Sequence, residues 1–100
     1  PEATPLTKVS GVRSYGANVV LEGANYDEAY KAASNYAKQH NKTFIHPFAD
    51  DEVMNGQGTI ALEILATLDD IDIVIVPIGG GGLISGIASV FKQLSPSTKI

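Results

Sequence analysis

Apolar and polar positions along the chain switch repeatedly between a helical and an extended period. After Thr4-Pro5, Leu6, Val9, Val12 and Arg13 recur at helical spacing. Thr4 reads as the N-cap, Pro5 as the first helical residue, and Gly16 as the stop after Tyr15. Ala17 to Leu21 holds two valines and a leucine, a short strand closed by Glu22-Gly23. Asp27 and Glu28 then open, and Lys38 closes, a segment rich in alanine and tyrosine. These charges suit the helix dipole, so a helix is predicted from about Tyr26 to Gln39. His40-Asn41-Lys42 turns the chain into Thr43-Phe44-Ile45, a second short strand.

His46 to Asn55 reads as a loop, with Pro47 and the acids Asp50, Asp51 and Glu52. From Gln57, the residues Ile60, Leu62, Ile64, Leu65 and Leu68 predict a largely apolar helix that ends near Asp69. Ile71 to Ile78 is a nearly continuous β-branched run, the pattern of a strand buried on both faces of a parallel sheet. Gly79 to Gly82 follow at once, and Leu83 to Leu94 predicts a helix with Ile84, Ile87, Ala88 and Phe91 on one face. Alternation of this kind implies an α/β fold of helices and parallel strands. Its first half is built on two short strands and its second on one long strand, with no internal repeat.

Composition narrows the function classes. A chain of 100 residues is normally one domain or less, and an apolar fraction of 44% is that of a globular protein. A formal net charge of −4 argues against nucleic acid, which calls for a basic stripe. Without cysteine there is no disulfide and no thiolate metal site, which fits a reducing, cytoplasmic setting. The longest uncharged apolar stretch, Ile73 to Val90, is broken by Pro77, five glycines and two serines, so no membrane span is predicted. No signal peptide is visible. Pro1-Glu2-Ala3-Thr4-Pro5 is an unnatural start, and a β-like run begins at Lys99-Ile100, so the chain is expected to be an internal piece of something longer.

The strongest chemical signal is the tetraglycine between a buried strand and a helix. Each ordered glycine gives up roughly 0.5–1 kcal/mol relative to alanine, so four cost about 2–4 kcal/mol and call for a compensating role. Anion binding is the role available: backbone without side chains approaches a phosphate closely, and its N–H groups add to the positive end of the next helix. Ser85 would add a hydroxyl there. A flexible linker is the bland alternative, but both flanks are aliphatic. The spacing is neither Gly-x-Gly-x-x-Gly with a following acid nor a Gly-Lys-Ser/Thr loop. The second signal is His46-Pro47-Phe48 followed by Gly56-Gln57-Gly58-Thr59. The two glycines imply a close backbone approach, and Gln57 and Thr59 are either ligand contacts or caps of the following helix. His46 has no evident acid or nucleophile partner and reads as a structural hydrogen-bonding group. The three acids read as a solvated loop rather than a cation site.

Together these segments resemble the threonine/serine dehydratases of the fold type II pyridoxal-phosphate (PLP) enzymes. The similarity runs through Thr4-Pro5, Lys8-Val9, Arg13, Tyr15-Gly16-Ala17, Val19-Val20-Leu21, Asp27-Glu28-Ala29 and His46-Pro47-Phe48. It continues through Gly56 to Glu63 and Val76-Pro77-Ile78 and so covers nearly the whole chain. The family usually has Asp-Asp-Pro in the acidic loop, where this chain has Ala49-Asp50-Asp51. The resemblance implies a three-layer α/β/α parent. Residues 1–52 would belong to its smaller domain and 53–100 to its larger, cofactor-binding domain. It implies PLP as cofactor, its phosphate held by Gly79, Gly80, Gly81, Gly82 and the amide of Leu83. It also implies an amino-acid substrate and a homo-oligomeric parent.

In the family, the lysine that carries PLP lies upstream in a Ser-x-Lys setting, and the group facing the pyridine nitrogen lies downstream. Lys8, Lys31, Lys38, Lys42, Lys92 and Lys99 have no such setting. No catalytic residue and no metal ligand is therefore assigned within the chain. The readings left open are a dehydratase fragment, a serine racemase fragment, a non-catalytic phosphate- or PLP-binding module, and a bare folding core.

Overall fold

The computed structural model describes residues 1–100. Four helices carry it: α1 (Leu6–Ser14), α2 (Tyr26–Gln39), α3 (Asp51–Thr67) and α4 (Gly82–Leu94). They fall into two compact units, Pro1–Phe44 and Ile45–Ile100. No helix is long and apolar enough to cross a membrane.

In the first unit, α1 begins one residue later than the Thr4-Pro5 pattern predicts. Pro5 itself occupies the N-cap, with no side-chain cap bond. The Thr4 hydroxyl donates to the Pro1 carbonyl at 2.6 Å and caps no helix amide. Gly16, at φ +81°, stops the helix as its sequence position predicts. The bounds of α2 match the prediction, and its caps explain why. Asn25 accepts the Glu28 N–H at 3.0 Å, while the Glu28 carboxylate accepts the Ala24 N–H at 2.8 Å. This reciprocal arrangement satisfies two backbone donors at once. At the other end Asn41 takes a left-handed conformation (φ 50°), and the Lys42 N–H closes onto the Ala37 carbonyl at 2.8 Å.

The second unit departs further from the sequence pattern. The acids read as a solvated loop open α3, which starts at Asp51 rather than at Gln57. Asp50 is the N-cap and accepts the N–H groups of Glu52 (2.9 Å) and Val53 (3.3 Å). Asp51 and Glu52 occupy the first turn, where the positive helix end favours carboxylates. Thr59 is no cap; its hydroxyl donates to the Gly56 carbonyl at 2.8 Å, inside the helix. Replacing Asp50 by alanine should therefore destabilise this unit by about 1 kcal/mol. An unchanged urea-unfolding midpoint would show that the cap bonds contribute nothing.

Helices α3 and α4 pack around Ala61, Ile87 and Phe91, all buried, with Leu65, Ile71, Val74 and Val76 against them. Glycines set the approach. A Cβ on Gly58 would stand 3.2 Å from the Gly86 carbonyl and from Val90, whereas one on Gly56 would meet nothing within 4 Å. The close approach foreseen for both glycines belongs to Gly58 alone.

None of the three predicted strands forms a ladder within these residues. Ala17 to Leu21 and Thr43 to Ile45 run without strand pairing. The Ile71 to Ile78 run makes one isolated parallel bridge, Ile73 to Lys99, with Val74 N–H donating to Lys99 O at 2.8 Å and Lys99 N–H to Asp72 O at 2.9 Å. The buried Thr98 fixes that pairing, its hydroxyl donating to the Ile71 carbonyl at 2.7 Å. Only one face of the run is covered: Ile71, Val74 and Val76 are half-buried against the core of α3 and α4, whereas Ile73 is 62%, Ile75 93% and Ile78 68% accessible. The reason is physical. A β-branched run favours extended backbone by itself, but a strand exists only through hydrogen bonds to a neighbouring strand.

Candidate functional site

The glycine loop lies between the end of the isoleucine run and α4. Gly81 is the N-cap of α4 in the left-handed region, φ +91°, a conformation that favours glycine. The helix begins at Gly82, one residue before the Leu83 of the sequence pattern. The first paired amide of this end is that of Ser85, which donates to the Gly81 carbonyl at 3.0 Å. The N–H groups of Gly82, Leu83 and Ile84 have no acceptor in the chain, as at any helix start.

A groove of about 450 Å³ opens here. The five residues singled out from the sequence, Gly79, Gly80, Gly81, Gly82 and Leu83, all line it, together with Pro47, Phe48, Gln57 and Pro77. Its volume lies within the ~300–1,000 Å³ range of small-molecule sites. No charged side chain lines it, so its positive character comes from backbone dipoles alone.

Phe48 gives the loop its shape. A Cβ on Gly80 would fall within the Phe48 ring, and one on Gly82 would stand 3.0 Å from Phe48 Cα, Cβ and O. A Cβ on Gly79 would meet nothing within 4 Å. Three of the four glycines thus have a structural reason: two by the closeness of Phe48 and one by its backbone conformation. The sequence had marked His46-Pro47-Phe48 as a motif, but nothing in its pattern says that the ring presses on the tetraglycine.

The other candidates separate. Gln57 lines the groove, whereas Thr59 does not. Ser85 lines a second groove of about 460 Å³ with Asp51, Met54, Ser89, Val90 and Gln93, so its hydroxyl is not part of the glycine groove. His46 accepts the N–H groups of Phe48 at 3.2 Å and Ala49 at 2.8 Å through Nδ1, the structural role expected of it.

The fold and the loop define a class: an uncharged, glycine-walled groove at a helix N-terminus, open to a phosphate-sized anion held by backbone amides. The family described as "Pyridoxal-phosphate dependent enzyme" matches residues 1–100, and the chain belongs to this family. It is 52% identical over 100 residues to an L-threonine ammonia-lyase of Geobacter sulfurreducens and spans 25% of that relative's length. Among solved structures, it superposes on a processed threonine deaminase of Solanum lycopersicum with a TM-score of 0.91 and 47% identity, covering all of this chain and 29% of that one. A serine racemase of Dictyostelium discoideum gives 0.86 and 36%, covering 99% of this chain and 32% of that one.

Proposed function

We propose that this chain is the phosphate-gripping portion of a PLP-dependent L-threonine/L-serine dehydratase and is not itself catalytically competent. The observation that carries the reading is the groove: three unpaired amides at the start of α4, walled by four glycines and held against Phe48. The residues fit the cofactor's phosphate, because a side chain on Gly80 or Gly82 would collide with Phe48 and displace the amides that receive it. Gly79, Gly80, Gly81, Gly82 and Leu83 would hold that phosphate through backbone N–H groups. Gln57, on the groove wall, would exclude water or meet the cofactor's edge. When bound, PLP supplies an electron sink for cleavage at the substrate Cα. The reaction of the longer protein would convert L-threonine to 2-oxobutanoate and ammonia, or L-serine to pyruvate and ammonia.

In the same reading the longer protein is a three-layer α/β/α enzyme of the cytoplasm. Residues 1–52 would lie in its smaller domain and 53–100 in its cofactor domain; the two compact units support a two-part division but part between Phe44 and Ile45, which keeps Pro47, Phe48 and the whole of α3 with the glycine loop. The exposed Ile73, Ile75 and Ile78 and the single parallel bridge to Lys99 support a parallel sheet completed by other strands of that protein.

A racemase is the second reading, supported by the serine racemase superposition but at lower identity than the deaminase, 36% against 47%. The full-length protein with PLP, given L-threonine and L-serine in turn, should release 2-oxo acid as the main product. Formation of D-serine ahead of pyruvate would favour the racemase. PLP binding with neither product would leave a binding module.

A further inference from the structure

We infer that His46 is a positioning residue for the glycine loop, acting through Phe48. The inference rests on the reading above, that the loop receives a phosphate, and adds what holds the loop in shape.

The segment His46-Pro47-Phe48-Ala49 is a tight turn organised by one atom. His46 Nδ1 lies 3.2 Å from the Phe48 nitrogen and 2.8 Å from the Ala49 nitrogen and accepts from both. Nδ1 therefore presents its lone pair, and in the neutral ring the proton sits on Nε2. Pro47 has no N–H and a fixed φ, so the next two amides are the first that a side chain at position 46 can gather. The imidazole also stands edge-on to the Phe48 ring, with centroids 4.6 Å apart and planes at 89°. Backbone and ring of Phe48 are thus both tied to His46.

Phe48 in turn meets the loop at alternate glycines. Its ring occupies the place of a Gly80 side chain, and its Cα, Cβ and carbonyl oxygen border the place of a Gly82 side chain. From Phe48 the chain passes directly to Asp50, the N-cap of α3. The His46 turn therefore joins the start of α3 to the loop that starts α4. Without an acceptor at Nδ1, the part-buried Phe48 amide and the exposed Ala49 amide lose their partner, and the Phe48 ring is free to leave the glycines. His46 does not line the groove, so this effect would be indirect and would fall on the phosphate end of a ligand.

The test uses the full-length protein and two probes, PLP and pyridoxal, which lacks the phosphate. Affinity for each is read by absorbance titration in the wild type and in His46→Ala, His46→Asn and His46→Gln. Asparagine keeps an acceptor one bond from Cγ, where Nδ1 stands, whereas glutamine moves it one bond further out. His46→Ala should weaken PLP about 10–100-fold, the scale of the two hydrogen bonds lost from the turn, and leave pyridoxal unchanged. His46→Asn should bind PLP nearly as the wild type does, and His46→Gln should resemble the alanine variant.

Equal losses for PLP and pyridoxal would overturn the inference, because a general folding defect does not distinguish the phosphate. Wild-type affinity in His46→Ala, or equal weakness in the asparagine and glutamine variants, would overturn it too. Should the alanine variant lack a cooperative thermal transition, the asparagine–glutamine contrast decides the matter alone. A wild-type protein that binds no PLP would instead remove the functional reading itself.

Discussion

Replacing Gly86 by alanine is expected to destabilise the α3–α4 unit by about 2 kcal/mol, despite alanine's better helix propensity. The new Cβ would fall on the Met54 carbonyl oxygen, and would stand 2.7 Å from the Gly58 nitrogen and 3.0 Å from Gln57 Cβ. Two of these are backbone atoms of α3, which cannot rotate away as a side chain would. The helices would have to separate, opening the contact between Ile87, Phe91 and Ala61 on which the core depends. Overpacking of this sort typically costs 1–3 kcal/mol and occasionally more; the propensity gain of about 1 kcal/mol offsets part of it. Gly56→Ala is the control. It lies in α3 with a negative φ and nothing within 4 Å of its Cβ position, so it should stabilise by about 0.5–1 kcal/mol. Urea unfolding followed by circular dichroism reads both. Equal effects of the two substitutions would mean that the glycine contact does not set the helix spacing.

The second large effect is expected at the loop. In the full-length protein, Gly80→Ala should weaken PLP about 100-fold, the scale of one or two lost hydrogen bonds to a charged group. The cause is the Phe48 ring, which occupies the space a Cβ would need. Adding Phe48→Ala should restore part of the affinity by vacating that space, so the double variant should bind more tightly than Gly80→Ala alone. Gly79→Ala should be close to neutral, since its Cβ would meet nothing and its φ is not positive. A PLP titration of the four proteins settles it. If Gly79→Ala proved as harmful as Gly80→Ala, the loop would need glycine for flexibility rather than for its fit against Phe48.

The contrast between helices and strands shows what a single sequence carries. The bounds of α2 could be read directly, because Asn25, Glu28 and Asn41 are local signals that act on backbone within a few residues. The end of α1 at Gly16 was legible for the same reason. The start of α3 was missed because a proline and three acids look like loop, yet Asp50 accepts two amides and the next two acids complement the helix dipole. That signal is local and present in the sequence. The strands are another matter. Ile71 to Ile78 has the composition of a buried strand, but the only pairing within this chain is the bridge from Ile73 to Lys99.

The candidate site divides along the same line. The sequence by itself determined the tetraglycine, its place ahead of a helix and the unpaired amides that follow from helix geometry, all effects of neighbours along the chain. It also carried the family resemblance through motifs at fixed spacing. Only the tertiary structure decided which glycines are needed and why. Gly80 and Gly82 answer to Phe48, 32 or more positions away in sequence, and Gly58 answers to Gly86 across the α3–α4 contact. Pattern and propensity report on local backbone preference, whereas a Cβ collision depends on what the fold brings into the same few ångströms.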